Sequence, residues 1–228
     1  EAVRKEISRL LTENNELFTP GLGKCTLAKA KLVFKTVETE PKFFRPRPVP
    51  FALRPKVEEK LGEMVAQGMV IPVEHSEWAT PLVVVPKLDN KIRICGDYKV
   101  TVNPQLDINQ YPLPVPDELF HLLNGGQKFS KMDLKDAYMQ VELDEESTKY
   151  TTINTHKGMF QYTRIPFGIA SAPAIFQRIM ETTLAGLEGV LVYLDDITVT
   201  APNDSAHLER LEKVLKRLNE AGFKLKRE

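Results

Sequence analysis

The sequence feature that most constrains the fold is a pair of short β-branched runs on either side of two acids. Val190 to Tyr193 and Ile197 to Thr200 flank Leu194-Asp195-Asp196, and such runs around turn residues predict a β-hairpin. The two carboxylates would lie at its tip, where their mutual repulsion favours a bound cation. An Asp-Asp pair is also ordinary turn chemistry, so the pair alone does not define a site.

A third acid makes a metal site the better interpretation. Asp133 lies at the end of a predicted strand over Lys128 to Leu134, and Asp is a poor strand former that needs a reason to be there. If this strand and the hairpin share one sheet, Asp133, Asp195 and Asp196 converge. Oxygen ligands without His or Cys select Mg²⁺ or Mn²⁺ over zinc, and such a site suits two-metal phosphoryl transfer.

The remaining pattern mixes helices with hairpins and therefore predicts an α+β domain. The expected helices cover residues 3–18, 55–68, 171–184 and 205–221, the last with Asp204 or Ser205 as its N-cap. The expected strands cover residues 69–71, 81–85, 92–95, 150–154 and 160–165.

Composition excludes several classes of protein. The 228 residues are 42% hydrophobic, enough for a core, and the net charge of +0 means that local patches must hold any polyanion. Cys25 and Cys95 lack metal-binding or disulfide spacing and are interpreted as free thiols. No apolar run approaches the roughly 20 residues of a membrane span, and no signal sequence opens the chain. The absence of an initiator Met suggests a fragment.

Four blocks of sequence resemble the reverse transcriptases. Tyr193-Leu194-Asp195-Asp196 resembles their aromatic-x-Asp-Asp box, and Asp133-Leu134-Lys135-Asp136-Ala137-Tyr138 resembles their first-aspartate motif. Residues 165–177 are similar to their helix-entry block and residues 93–99 to their fingers strand. The likeness runs from about Arg45 to the end and is strongest to the Pol polyproteins of gypsy-class LTR retrotransposons. One departure is Val100-Thr101-Val102-Asn103, where Leu-Asn is usual.

The resemblance implies a fold and a division into subdomains. The fold would be the fingers and palm of a right-hand polymerase, the palm having an antiparallel sheet packed on helices, with the thumb absent. Residues 1–44 would be a protease-to-polymerase connector. The fingers would comprise residues 45–107 and 141–170, and the palm residues 108–140 and 171–228, ending before the primer grip.

The resemblance also implies the chemistry. Asp133, Asp195 and Asp196 would be the catalytic residues and, with the Leu134 carbonyl, the ligands of two Mg²⁺ ions, for which Mn²⁺ could substitute. The implied activity is RNA-directed DNA synthesis, a nucleotidyl transfer from a dNTP to a primer 3′-hydroxyl on an RNA or DNA template.

Further residues would bind the nucleotide. Tyr138 would be a steric gate against the ribose 2′-hydroxyl, although an aromatic core residue is the alternative. The other expected contacts are backbone N–H groups of Asp136 and Ala137, charged donors Lys87 and Arg93 from the fingers hairpin, and the Phe167-Gly168 segment. Lys91 is a rival for Lys87, and Phe167 could equally be core.

The expected partners are a template-primer, dNTPs and the other Pol regions: thumb, connection, ribonuclease H, protease and integrase. The expected location is intracellular, in a cytoplasmic virus-like particle with access to the nucleus, and no membrane is involved. The isolated fragment should polymerise poorly. Two alternatives are a relic or co-opted module that binds nucleic acid or protein without catalysis, and a metal-dependent phosphohydrolase, which would leave Tyr138 and Phe167-Gly168 unexplained.

Overall fold

The computed structural model describes residues 1–109 and 111–227 of the chain. The α-helices are α1 (Ala2–Glu13), α2 (Arg54–Ala66), α3 (Pro116–Leu123), α4 (Glu145–Thr148), α5 (Ala172–Thr183) and α6 (Asp204–Glu220). The strands are β1 (Val70–Val73), β2 (Thr80–Pro86), β3 (Ile92–Gly96), β4 (Lys128–Asp133), β5 (Ile153–Thr155), β6 (Gly158–Tyr162), β7 (Val190–Tyr193) and β8 (Asp196–Ala201). Single 3₁₀ turns cover Asn15–Phe18, Phe51–Leu53, Leu88–Asn90, Tyr98–Val100, Asn103–Gln105, Ala137–Gln140 and Lys149–Thr151.

The chain divides into two compact units. The first unit comprises Glu1–Ala28, Tyr111–Gln140 and Pro173–Glu228, and the second comprises Lys29–Gln110 and Val141–Ala172. The expected connector over residues 1–44 is therefore divided between the two units. All three predicted metal-binding aspartates belong to the first unit.

The first unit is built on a three-stranded antiparallel sheet in the order β4-β8-β7. Strands β7 and β8 are rich in β-branched residues, and Ile197 and Val199 on β8 are fully buried. Helix α6 packs on this sheet through an apolar stripe at helical spacing, which consists of Leu211, Val214, Leu215 and Leu218. Strand β8 lies in the middle, so its first residue, Asp196, is opposite the last residue of β4, Asp133.

The start of α6 corrects a prediction. Asn203, rather than Asp204 or Ser205, is the N-cap: its side chain accepts a hydrogen bond of 2.9 Å from the Ala206 N–H. The cap residue must have an extended backbone, and Asn203 has one, with φ −152° and ψ 173°. Asp204 is instead the first helical residue, where its charge favours the helix dipole.

The second unit is built on a five-stranded sheet in the order β1-β6-β5-β2-β3. Only β2 and β5 pair in parallel, and the predicted hairpins β2-β3 and β5-β6 are both formed. The first of these turns on Asp89 and Asn90, both in the left-handed region at φ 65° and 59°, which Asp and Asn tolerate best among residues with a Cβ. Trp78 and Tyr98 are fully buried in its core.

The structure confirms the α+β class and the two free cysteines, of which Cys25 is buried and Cys95 partly exposed. It also contains α3, which the sequence analysis did not predict; this helix buries no residue and leaves Phe120 68% exposed. Strand β5 begins later than expected because Lys149–Thr151 forms a 3₁₀ turn. Over residues 1–109 and 111–227, no helix is long and apolar enough to span a membrane.

Candidate active site

Two of the predicted aspartates are neighbours on adjacent strands. Asp133 and Asp196 are cross-strand partners on β4 and β8, so their side chains project from the same face of the sheet. Hydrogen bonding with the Asp196 carboxyl, followed by desolvation, raises the pKa of Asp133, while the positive charges of Lys131 and Lys226 lower it. Two acids so close resist ionising together, and a cation between them would remove that resistance.

A lysine ammonium already lies against this acid pair. Lys131 Nζ is 3.1 Å from Asp196 Oδ2 and 3.9 Å from Asp133 Oδ1. The hydrogen bond to Asp196 is the main cause that raises the pKa of Lys131. Sequence reasoning missed this residue, although its position two residues before Asp133 places both on one face of a strand. The acid pair therefore attracts a cation.

The third aspartate occupies the β7-β8 turn. Its carbonyl oxygen accepts a hydrogen bond of 3.4 Å from the Leu134 N–H, which joins the turn to the end of β4. The preceding residue, Leu194, has φ 54°, a left-handed conformation that costs energy for a residue with a Cβ. Across the described ranges, no three His, Cys, Asp or Glu side chains are grouped as a metal site, so the Asp195 carboxylate is not gathered with the other two.

Tyr138 lies close to the same turn. Burial, and then the Asp195 charge, raise the pKa of the Tyr138 phenol. Its ring contacts Phe176 edge-to-face at a centroid distance of 5.3 Å, and Phe176 contacts Phe223 in the same way at 6.5 Å. Because Phe176 is fully buried, this aromatic row supports the half-buried Tyr138 ring from one side.

The segment after Asp133 is held by a buried glutamine that sequence reasoning also missed. Gln140 Nε2 donates to the carbonyl oxygens of Lys135 at 2.5 Å and Lys224 at 2.9 Å, and its Oε1 accepts from the Lys224 N–H at 2.7 Å. These bonds lie beside Asp136, whose φ of 47° is left-handed. Ala137 follows and is buried. A buried amide thus holds a strained loop in place.

The other predicted nucleotide contacts belong to the second unit. Lys87, Lys91 and Arg93 are all exposed on the β2-β3 hairpin, so the choice between the two lysines stays open. The Arg93 guanidinium lies 5.2 Å from the centroid of the Phe167 ring, a cation–π geometry. Gly168 has φ 96°, which favours glycine.

The departure from the family motif also has a structural role in this unit. Asn103 Nδ2 donates to the Gly168 carbonyl at 2.7 Å, and Asn103 Oδ1 accepts from the Ala170 N–H at 2.9 Å. This amide fixes the turn that carries Phe167 and Gly168. The roles of Lys87, Arg93, Phe167 and Gly168 toward a nucleotide remain predictions.

Residues 85–228 match the family described as reverse transcriptase (RNA-dependent DNA polymerase). The chain belongs to this family of nucleotidyltransferases, whose members use divalent metal ions.

Relatives and solved structures agree. The chain is 42% identical over 231 residues to an uncharacterized protein of Caenorhabditis elegans, covering 100% of this chain and 18% of that protein. It is 35% identical over 202 residues to the retrovirus-related Pol polyprotein from transposon 297 of Drosophila melanogaster, covering 86% of this chain and 19% of that one. It thus spans about a fifth of these relatives.

The fold is similar to that of the foamy viral protease-reverse transcriptase in complex with an RNA/DNA hybrid, with a TM-score of 0.87 and 25% identity over 99% of this chain and 30% of that one. The same viral protein in complex with double-stranded DNA gives a TM-score of 0.86 and 25% identity over 99% of this chain and 40% of that one. These matches confirm the prediction of a fingers-and-palm fold.

Proposed function

We propose that this chain is the RNA-directed DNA polymerase of a gypsy-class LTR retrotransposon Pol polyprotein. It would transfer a nucleotide from a dNTP to a primer 3′-hydroxyl on an RNA or DNA template. The observation that carries the proposal is the cross-strand pairing of Asp133 and Asp196, with Lys131 Nζ against both carboxylates and Asp195 one residue away in the same turn. Membership of the reverse transcriptase family supports this chemistry.

The acid pair fits divalent metal ions. Its donors are hard carboxylate oxygens, and the Lys131 ammonium lying against both shows that the position attracts positive charge. Asp133 and Asp196 would hold the ions with Asp195 and the Leu134 carbonyl as further ligands, Mg²⁺ being preferred and Mn²⁺ a substitute. Two bound ions would activate the primer hydroxyl and neutralise the leaving pyrophosphate.

The protein's own residues would position the substrates. Tyr138, supported by Phe176, would present its ring to the sugar and exclude a 2′-hydroxyl by clash. The backbone N–H groups of Asp136 and Ala137 would donate to the triphosphate, as charge-assisted donors.

The second unit would supply further nucleotide contacts. Lys87 and Arg93 would meet the triphosphate with positive charge, while Phe167 and Gly168 would pack against the nucleotide and the template base. The Arg93 guanidinium beside the Phe167 ring supports a shared role for these two residues.

The proposal extends to partners and location. The similar foamy viral protein is seen with an RNA/DNA hybrid and with DNA, and we propose the same partners for this chain, together with dNTPs. Other Pol regions would complete the enzyme: thumb, connection, ribonuclease H, protease and integrase. The expected location is a cytoplasmic virus-like particle with access to the nucleus.

Primer extension on poly(rA)/oligo(dT) with Mg²⁺ and dTTP tests the function. The chain alone and the longer polyprotein containing it are compared with the Asp195→Asn/Asp196→Asn variant. The control is Asp204→Asn, which changes an exposed acid paired with Lys128 at 3.1 Å. We expect extension by the polyprotein and weak extension by the chain alone. The double variant should lose extension, whereas the control should extend primers as the wild type does. Template binding without extension by the wild-type polyprotein would indicate a binding relic instead.

A further inference from the structure

A second buried glutamine lies directly behind the aspartate turn. Gln177, in the middle of α5, is fully buried. Its Nε2 donates to the Val192 carbonyl at 2.8 Å, and its Oε1 accepts from the Leu194 N–H at 2.7 Å. One side chain therefore binds the backbone at both ends of Tyr193, and the second bond reaches the strained residue immediately before Asp195.

The orientation of this amide is determined by a neighbouring acid. Gln177 Nε2 also donates to Glu181 Oε1 at 2.9 Å, one helical turn along α5. The opposite orientation would place Oε1 against both the Glu181 carboxylate and the Val192 carbonyl, and the NH₂ group against the Leu194 N–H. All three contacts would be repulsive, so only one orientation is stable.

The acid is itself held by a third residue. The Tyr111 hydroxyl donates to Glu181 Oε2, the carboxylate oxygen that Gln177 does not use. Desolvation raises the pKa of Glu181. Tyr111, Glu181 and Gln177 thus form a chain of hydrogen bonds that ends on the backbone of the aspartate turn.

We propose that Gln177 is a positioning residue that holds Leu194 in its left-handed conformation and thereby sets the placement of the Asp195 and Asp196 carboxylates, with Glu181 orienting its amide. Left-handed backbone at a residue with a Cβ persists only where its surroundings enforce it. The effect of Gln177 on catalysis rests on the proposed function, whereas its effect on the Leu194 backbone does not depend on that function.

The first measurement is hydrogen exchange of the Leu194 amide by NMR on this chain. Gln177→Met keeps the length and removes all three bonds, and we expect Leu194 to exchange about tenfold faster or more. The matched control is Thr183→Val, since Thr183 is buried on the same helix and its hydroxyl donates to the Ile179 carbonyl of that helix, at 2.7 Å. This control should leave Leu194 exchange unchanged.

A charge swap covers the case in which Gln177→Met fails to fold. Gln177→Glu places two carboxylates together and should accelerate Leu194 exchange, whereas adding Glu181→Gln restores a donor between the two positions and should slow it again. An additive effect of the two changes would overturn the role given to Glu181.

The second measurement separates the inference from the proposed function. Gln177→Met should weaken Mn²⁺ binding severalfold and lower kcat for dTMP addition by the polyprotein, with KM for dTTP unchanged. If the wild-type polyprotein is inactive but Leu194 exchange and Mn²⁺ binding both depend on Gln177, the proposed function is refuted and the positioning role is not. Unchanged Leu194 exchange, or faster exchange with wild-type Mn²⁺ binding, would overturn the positioning role.

Discussion

Replacing Gln140 by Met should destabilise the first unit strongly, because its amide makes three hydrogen bonds in a fully buried position. Met has a similar length but no polar group. In the Gln140→Met variant, the Lys135 carbonyl and the Lys224 N–H lose their hydrogen bonds to the amide. The Lys224 carbonyl still accepts a hydrogen bond of 3.2 Å from the Lys135 N–H. Each of these part-buried groups left unpaired costs about 1–2 kcal/mol, so the expected loss of unfolding free energy is about 2–4 kcal/mol.

The chain provides a separate reporter for each unit. Cys25 is buried in the first unit, where its N–H donates to the Gln140 carbonyl at 2.7 Å. In a Cys95→Ser background, thiol labelling against urea follows the first unit, and the fluorescence of the single tryptophan, Trp78, follows the second. Gln127→Met, at an exposed position, is the control. A loss for Gln140→Met below about 1 kcal/mol, or no larger than the control's, would refute the reasoning.

Three other predictions concern the gate, the backbone and pH. Tyr138→Ala in the polyprotein should admit ribonucleotides while Tyr138→Phe should not, and equal UTP incorporation by both would remove the ring from that role. Gly222→Ala should destabilise the protein by more than about 1 kcal/mol, since φ of Gly222 is 82° and a Cβ would lie 2.1 Å from the Lys24 carbonyl oxygen. Gly62→Ala in α2, where a Cβ meets open space, should instead stabilise it by about 0.5–1 kcal/mol. Urea unfolding measures both changes. Burial lowers the pKa of His207, so the free energy of unfolding should fall as the pH drops below about 6.5. His207→Gln should remove that part of the pH dependence. Identical profiles of unfolding free energy against pH for the wild type and the variant would refute this prediction.

The sign of the pH effect follows from which state binds the proton. Above about pH 6.5, His207 is neutral in both states and its contribution is fully present. As the pH falls, His207 is protonated first in the unfolded chain. Its contribution to stability is therefore lost progressively until the pH reaches the lowered pKa of the folded state. His207 Nε2 lies 2.7 Å from Ser130 Oγ, a bond that the amide of Gln can reproduce.

Local sequence predicted the hairpin and the strand that carry the acids, because β-branched runs and turn residues act over a few positions. It did not predict which acids would be paired across the sheet. That depends on strand order: with β8 between β4 and β7, Asp133 meets Asp196 and not Asp195. A sheet order is decided by packing of distant segments, which alternation along one strand does not encode.

The sequence analysis also did not predict the polar residues that support the site. Gln140 and Gln177 are glutamines among apolar neighbours, and their partners are backbone groups as far as Lys224, 84 positions from Gln140. A polar residue inside an otherwise apolar stripe was the only local sign. Each of these amides lies next to one strained residue, Asp136 or Leu194, which suggests that the strain and the buried amides belong together.

The most direct test of a metal centre at the three aspartates is Mn²⁺ binding by this chain, measured by electron paramagnetic resonance. Asp133→Asn, Asp195→Asn and Asp196→Asn are compared with the wild type and with Asp204→Asn, whose side chain is exposed. We expect each of the first three changes to weaken binding by about tenfold or more and the fourth to have no effect. Wild-type affinity in all three variants would contradict the assignment of these carboxylates as the metal centre.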